Sequence, residues 1–414
     1  MRPVLKPGLR RLWRDSTTLQ IGVDPLRAVI LTGIGPAYRS ALDTLEPPGP
    51  DLDPGGQARD PATRTMIEIL AQAGLLDDDS DPGTAAGTGV PASAEVDHGR
   101  FAPDVAALSL ASFGVRLPRS ALWRRRRARV SVRGAGRIGA QIATLLTAAG
   151  VGQVVVDDPG STAPADVAPG GLRLDDVGRP RSSATQAAMG RVGQLPGPTG
   201  RVPTPRSPRS ARSPGAPGAP RASLVEPLRP DLVVLAPVGL PLIHPDECLR
   251  LERAGFPHLL AGVRETTGVV GPLVVPGSTS CLHCQHLHRD ARDPDWPILA
   301  MQMVRPSERG ADPCEISLAT LVASIACMQA LDLLDAAPPA TGGSRPRLPA
   351  TAEGTLEITR SDLRIRRRTW PPHPECPCRT ARRAADPPPH ANPVSPTGNA
   401  PSRDRRQPDT GSTR

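Results

Sequence analysis

Two groups of residues in this 414-residue chain have types and spacings that suit chemistry. The first is "CLHC", Cys281 and Cys284, joined about ninety residues later by "CPC", Cys376 and Cys378. A C-x-x-C knuckle with a second cysteine pair can close a tetrahedral zinc site. Four thiolates leave no open position, so such a site would be structural and would staple the C-terminal segment to its domain. Four free thiols are the alternative. His283, His286 and His288 crowd the knuckle and are expected to face solvent or stand behind the ligands. The second group is "VSVRGAGRIGAQIATLLTAAGVGQVVVDD" (130–158), in which Gly134, Gly136 and Gly139 satisfy G-x-G-x-x-G. Such a turn lets backbone amides and a helix N-terminus approach phosphates, and an acid ending the next strand, Asp157 or Asp158, can accept ribose hydroxyls. NAD(P) is the default ligand of the pattern, and a ligand-free βαβ turn is the structural alternative.

These residues need elements to hold them. The spacing predicts a strand at 128–132, a helix at 137–149 and a strand at 153–157. Ile138, Ile142, Leu145 and Ala149 are expected to form one core-facing stripe, and Gly150 to close the helix. Further strands are expected at 230–239, 258–264 and 268–277, with a helix near 245–254. The apolar run 315–335 reads as a buried helix, because Ser317, Thr320, Ser324, Gln329 and Asp332 interrupt it. Residues 354–370 alternate as a terminal hairpin. Before all this, 1–75 forms a small unit, with strands at 18–22 and 27–31 and helices at 36–45 and 62–78. A linker at 76–100 and a helical stretch at 101–127 follow. The domain proper is expected over 101–380, broken by a Pro, Gly, Ser and Arg insertion at 184–230, with a low-complexity tail at 381–414.

Composition narrows the function classes. The net charge of +9 resides in two segments: 191–221 holds six arginines and no acid, and 379–414 holds seven arginines against three aspartates. The rest is close to neutral, so the basic balance does not argue for a nucleic-acid partner. Aromatics are only 2%, so Leu, Val, Ile and Ala must build the core. Lys6 is the only lysine. No membrane span is expected, and "MRPVLKPGLRRLWRD" lacks the apolar run of a secretory or transit peptide. Seven cysteines without a disulfide pattern suit a reducing cytoplasm.

The combination of "GAGRIGAQIATLLTAAGVG", "DVGRPR" (176–181) and paired cysteines enclosing "CMQALDLL" resembles the ThiF/MoeB family of ubiquitin-activating-enzyme-like adenylyltransferases, over roughly 120–380. Residues 1–75 resemble, less closely, the winged-helix leader-peptide modules of ribosomal peptide-modification systems, as in actinobacterial ThiF-like proteins of thiazole- and oxazole-modified peptides. The resemblance implies an α/β fold: a Rossmann-like ThiF-type sheet with a C-terminal zinc-knuckle hairpin, preceded by a small winged-helix-like module. It implies ATP with Mg²⁺ over Gly134, Gly136 and Gly139, Asp158 on the ribose with Asp157 as fallback, and Arg181 on the phosphates. The arginines of 124–127 fall where the family often reaches a neighbouring subunit's site, and a homodimer is implied. Two departures stand out. "DVAPGGL" (166–172) replaces the family's Asn-Leu-Gln-Arg stretch, and Val238 stands where a magnesium-side aspartate belongs. Asp246 and Glu247 are the next acids along the chain. Cys314 falls where some relatives carry an acceptor cysteine, while Cys248 and Cys327 read as buried fillers.

Two functions follow. One is adenylation of the carboxylate of a precursor peptide or a sulfur-carrier protein. The other is a catalytically decayed scaffold that holds a leader peptide for a partner cyclodehydratase. An NAD-dependent oxidoreductase is disfavoured, because nothing after the first βαβ unit resembles a hydride-transfer domain.

Overall fold

The computed structural model describes residues 2–46, 49, 58–78, 98–111, 118–193, 229–304, 312–336 and 348–378. The tail from 381 and most of the insertion lie outside these.

The N-terminal unit is built from short pieces. Strand β1 (Pro3–Leu5) precedes β2 (Arg11–Trp13), β3 (Leu19–Ile21) and β4 (Val29–Leu31), and the last three form an antiparallel sheet in that order. Helices α1 (Pro36–Thr44) and α2 (Pro61–Gln72) each start on a proline, which gives up an amide the first turn cannot use. Asp60 caps α2 by accepting the Thr63 amide at 2.8 Å. Strand β5 (Leu76–Asp78) then returns to pair with β1. The helix expected over 62–78 therefore stops at Gln72, and its "LLDD" end is strand. Leu19, Ile21, Leu42, Leu45, Met66 and Leu70 make a separate core, each fully buried.

The expected linker 76–100 loses both ends, to β5 and to α3 (His98–Leu110). The single helical stretch expected to 127 is two helices, α3 and α4 (Pro118–Arg127). The chain's one lysine joins the module to α3: buried Lys6 donates to the Ser109 carbonyl at 2.7 Å and pairs with Asp77 at 3.7 Å. Ser109 Oγ donates to the same aspartate.

The main sheet begins with β6 (Arg129–Arg133), followed by α5 (Gly139–Ala148), β7 (Gln153–Asp157) and α6 (Arg181–Gly193). Helix α6 occupies the start of what the sequence suggested was insertion, since its alanines Ala184 and Ala188 pack inward. Next come β8 (Leu232–Leu235), α7 (Pro245–Ala254), β9 (His258–Arg264) and β10 (Thr267–Val274). Helices α8 (Leu282–Asp290), α9 (Trp296–Met303) and α10 (Ile316–Asp335) precede a hairpin of β11 (Gly354–Thr359) and β12 (Arg364–Thr369).

Seven strands lie in the order β12-β11-β10-β9-β8-β6-β7. The four from β9 to β7 are parallel, and β10, β11 and β12 continue antiparallel from β9. The sheet is thus mixed. Both faces of its centre are covered, so β8 is buried at every residue. Val132, Val234 and Leu259 face α5 and α10, while Val233, Leu235 and Leu260 face α7 and the cysteine pairs. Each such side chain contributes about 1.5–3 kcal/mol on burial. Helix α10 is long and apolar enough to cross a membrane, but Leu318, Val322, Ala323, Ala326 and Ala330 are packed against the sheet. The α5 stripe differs from expectation. Leu145 is exposed, and Ile142, Ala143 and Leu146 are buried, because α5 is wedged between sheet, α6 and α10 and needs a wide apolar face.

Candidate functional site

The chain runs from β6 through α5 to β7 on one side, and β8 lies on the other side of β6. That reversal opens a crevice at the carboxyl ends of the strands, the usual ligand position in such sheets. The glycine turn occupies it. Gly134 donates to the Asp157 carbonyl and Ala236 to the Arg133 carbonyl, so the turn is laid between the ends of β7 and β8. A Cβ on Gly134 (φ +90°) would lie 2.0 Å from the Ala236 carbonyl oxygen, and one on Gly139 would lie 1.9 Å from that of Gly134. These two glycines are required by backbone packing. Gly136 is different: its Cβ position meets a Val238 methyl at 2.8 Å and Asp166 Oδ1 at 3.1 Å, both side-chain atoms.

The amides of Gly136, Arg137, Ile138 and Gly139 have no hydrogen-bond acceptor among the described residues. Four consecutive free N–H groups at the start of α5 form an anion-binding nest. The Ala135 amide is already taken by buried Asp158 at 2.7 Å, whose other oxygen accepts from Gly160 at 2.7 Å. Asp158 thus braces the turn, and Asp157 beside it is exposed.

Arg181, at the start of α6, does reach the turn. Its Nε donates to Asp166 Oδ2 at 2.7 Å and a terminal nitrogen lies 3.5 Å from Asp158. Burial works against its charge, but the bond to Asp166 and the fields of both aspartates hold its pKa above the ordinary arginine value. Arg137 donates to the carbonyls of Ala165 and Cys314, at 2.7 and 2.8 Å, and so ties the segment before α10 to the turn. Cys314 itself is half-buried, and burial raises its pKa despite Arg137, which keeps it a thiol.

The acids considered on sequence grounds lie elsewhere. Asp246 is exposed near His244, and Glu247 is engaged by Arg133 and Arg250. Two others meet the site unforeseen. Asp166 replaces the family's arginine-bearing stretch and points a carboxylate at Gly136. Asp312 Oδ2 lies 2.9 Å from the Cβ position of Gly239, next to Val238. Cys314 stood out in the sequence, and Asp312, two residues earlier, did not. Two of the arginines of 124–127 are used inside the fold: Arg125 forms a two-bond pair with Asp335, at 2.7 and 2.6 Å, and Arg124 donates to the Asp335 carbonyl, while Arg126 and Arg127 are exposed.

The cysteine pairs do converge. Cys281 caps α8, Cys284 lies in its first turn, and the stretch after β12 brings Cys376 and Cys378 against them. All four sulfurs lie within 4.8 Å of one another, with closest pairs at 3.4, 3.5 and 3.8 Å. Zinc–sulfur bonds of about 2.3 Å in a tetrahedron put sulfurs about 3.8 Å apart, so the set fits such an ion. Thiols donating from Cys281, Cys376 and Cys378 push the Cys284 pKa down, and the other three are pushed up against it, a charge problem that a cation resolves. The histidines stay outside: His286 accepts from the Trp296 indole at 3.2 Å, and His288 bonds the Pro371 carbonyl at 2.8 Å.

Comparison with known proteins agrees with this geometry. A model of the ThiF family matches residues 112–194. A comparison with curated proteins found no match. Among solved structures, E. coli MccB with AMPCPP and MccA superposes at a TM-score of 0.57 and 14% identity, over 91% of this chain and 99% of that one. The microcin C7 biosynthetic enzyme MccB in complex with N-formylated MccA gives 0.56 and 13% over the same shares. PaaA gives 0.54 and 16%, over 88% of this chain and 99% of that one. Residues 112–194, which hold the glycine turn, are thus ThiF-like in sequence, and the chain shares its fold with these structures.

Proposed function

We propose that the chain activates the carboxylate of a peptide by adenylyl transfer from ATP. The observation that carries this reading is the nest of four acceptor-free amides, 136–139, at the switch point of the sheet. A peptide carboxylate oxygen attacks the α-phosphorus, the bond to the pyrophosphate oxygen breaks, and acyl-adenylate and pyrophosphate result. The chain's part is to hold charge: the amides and Arg181 bind phosphate oxygens, and Asp312 takes the magnesium side left vacant by Val238. Asp158 bonds the turn, which leaves exposed Asp157 as the ribose acceptor of this reading. The solved complexes of MccB with ATP and with MccA support nucleotide and peptide as the two substrates. In the same reading Cys281, Cys284, Cys376 and Cys378 hold a structural zinc, residues 1–75 are a winged-helix-like leader-binding module, and the protein works as a cytoplasmic homodimer.

A second reading has its own support. Asp166 and Asp158 neutralise Arg181, and a Val238 methyl crowds Gly136, so the crevice offers a polyanion little net positive charge. The domain would then be a scaffold presenting a leader peptide to a partner cyclodehydratase. Calorimetric titration with Mg-ATP separates the two. Saturable binding that Gly136→Asp abolishes, followed by peptide-dependent pyrophosphate exchange, is the expected result. Absence of binding to the folded, zinc-loaded protein would overturn adenylation in favour of the scaffold.

A further inference from the structure

On the sheet face that carries the cysteine pairs, three arginines gather over Trp370 and a fourth, Arg264, joins them through Glu357. Arg289 lies over its ring at 5.4 Å from the centroid, Arg368 at 5.6 Å and Arg292 at 5.8 Å. Arg264 and Arg368 both lie 3.6 Å from the same oxygen of Glu357. The guanidiniums of Arg289 and Arg292 have no hydrogen bond or ion pair among the described residues, and that of Arg289 also lies over Trp296, at 4.7 Å. Burial, with Arg264 and Arg368 adding to it against Glu357, pulls the Arg289 pKa down to about 10. Two guanidiniums therefore share one carboxylate, and the side chains of two more, Arg289 half-buried among them, have only aromatic rings as partners among the described residues. Such an arrangement is unfavourable until oxyanions complete it.

We propose that Arg289, Arg292 and Arg368 over Trp370, with Arg264 beside them at Glu357, dock an acidic stretch of the peptide whose C-terminus the glycine turn receives. The spread of the four favours a chain with several carboxylates over a single small anion. Position favours it too. Arg133, Leu235 and Leu260 lie in one row across β6, β8 and β9, and Arg264 is four residues further along β9, on the same edge as the turn. Two strand spacings and four residues of rise separate them by about 16 Å, roughly five extended residues. The acidic residue nearest the turn thus belongs about five positions before the activated carboxylate, and Arg368, on β12 and five strands from β6, meets acids further from it. The peptide identity of the ligand rests on the function proposed above.

The test uses the full-length protein without nucleotide, so that it is scored apart from ATP binding. Fluorescence anisotropy would follow a labelled triglutamyl-pentaglycine peptide with a free C-terminus, beside its triglutaminyl counterpart. The glutamate peptide is expected to bind at least tenfold more tightly. Arg289→Gln/Arg292→Gln should weaken it at least tenfold, whereas Arg405→Gln/Arg406→Gln, equal in charge lost but in the tail, should change it less than twofold. Arg368→Gln serves as a second variant if the double variant melts early. Equal binding of the two peptides, or equal losses in the two double variants, would overturn the proposal. Displacement of the peptide by low-millimolar inorganic phosphate at constant ionic strength would assign the arginines to a free phosphate and overturn it as well.

Discussion

Gly139 and Gly136 belong to one motif but answer to different constraints. A methyl at 139 collides with a backbone carbonyl, so Gly139→Ala is expected to lose about 2–3 kcal/mol of stability, read from the urea midpoint. At 136 the neighbours are a valine methyl and a carboxylate, and Gly136→Ala should cost less than about 1 kcal/mol. Equal costs would mean that both glycines serve packing alone. A second residue-scale expectation concerns His258, fully buried in β9, whose Nδ1–H donates to the Phe256 carbonyl at 2.9 Å while Nε2 has no partner among the described residues. Burial, with Arg133 adding to it, pulls its pKa from 6.5 to about 4 against the effect of that bond. Between those values the unfolded chain takes up a proton that the folded one refuses. Its contribution is therefore intact above pH 6.5 and falls away toward pH 4, by about 3 kcal/mol. A His258→Leu variant should lose that part of the pH slope in denaturant titrations. The glycine motif was legible because strand, turn and helix are contiguous. Asp166 and Asp312 were not, since each meets the turn only after distant segments fold together.

The elements most easily read were those with length and rhythm: α7, β7 and β9 stand where the sequence placed them. Strands β1, β2 and β5, of three residues each, are too short to show alternation, and α8 and α9 were hidden among histidines, cysteines and aspartates. Two of these elements depend on clamps. The α8 knuckle meets the stretch after β12, so with a structural zinc there the wild type is expected to carry about one per chain, and Cys376→Ser to lower both that content and the melting temperature, as measured by atomic emission and calorimetry. A metal-free wild type melting at the same temperature as the loaded protein would argue against a structural ion. At the other end of the sheet, α4 holds α10 through Arg125 and Asp335. Asp335→Asn leaves Arg125, 5% exposed, with only the longer contact to Asp104 at 3.8 Å and should cost about 3 kcal/mol in denaturation.

For the whole molecule, two cores meet through a small polar contact, with Lys6, Asp77 and Ser109 at its centre. Removal of residues 1–75 is expected to abolish binding of a precursor leader peptide while the metal-binding domain still folds. Full leader affinity in the truncated protein would refute the module's role. The mixed sheet was only partly foreseeable, since strand order is a property of chain reversals that no local pattern records. The cysteine cluster has one further consequence, for synthesis. Cys281 and Cys284 leave the ribosome long before Cys376 and Cys378, and α9, α10 and the terminal hairpin all fall between them. The parallel strands can assemble early, but the ring cannot close until the final pair emerges. A chain stopped before Cys376 would carry the whole glycine turn and still lack its closure, so with zinc held by the four cysteines, metal content would separate finished molecules from interrupted ones.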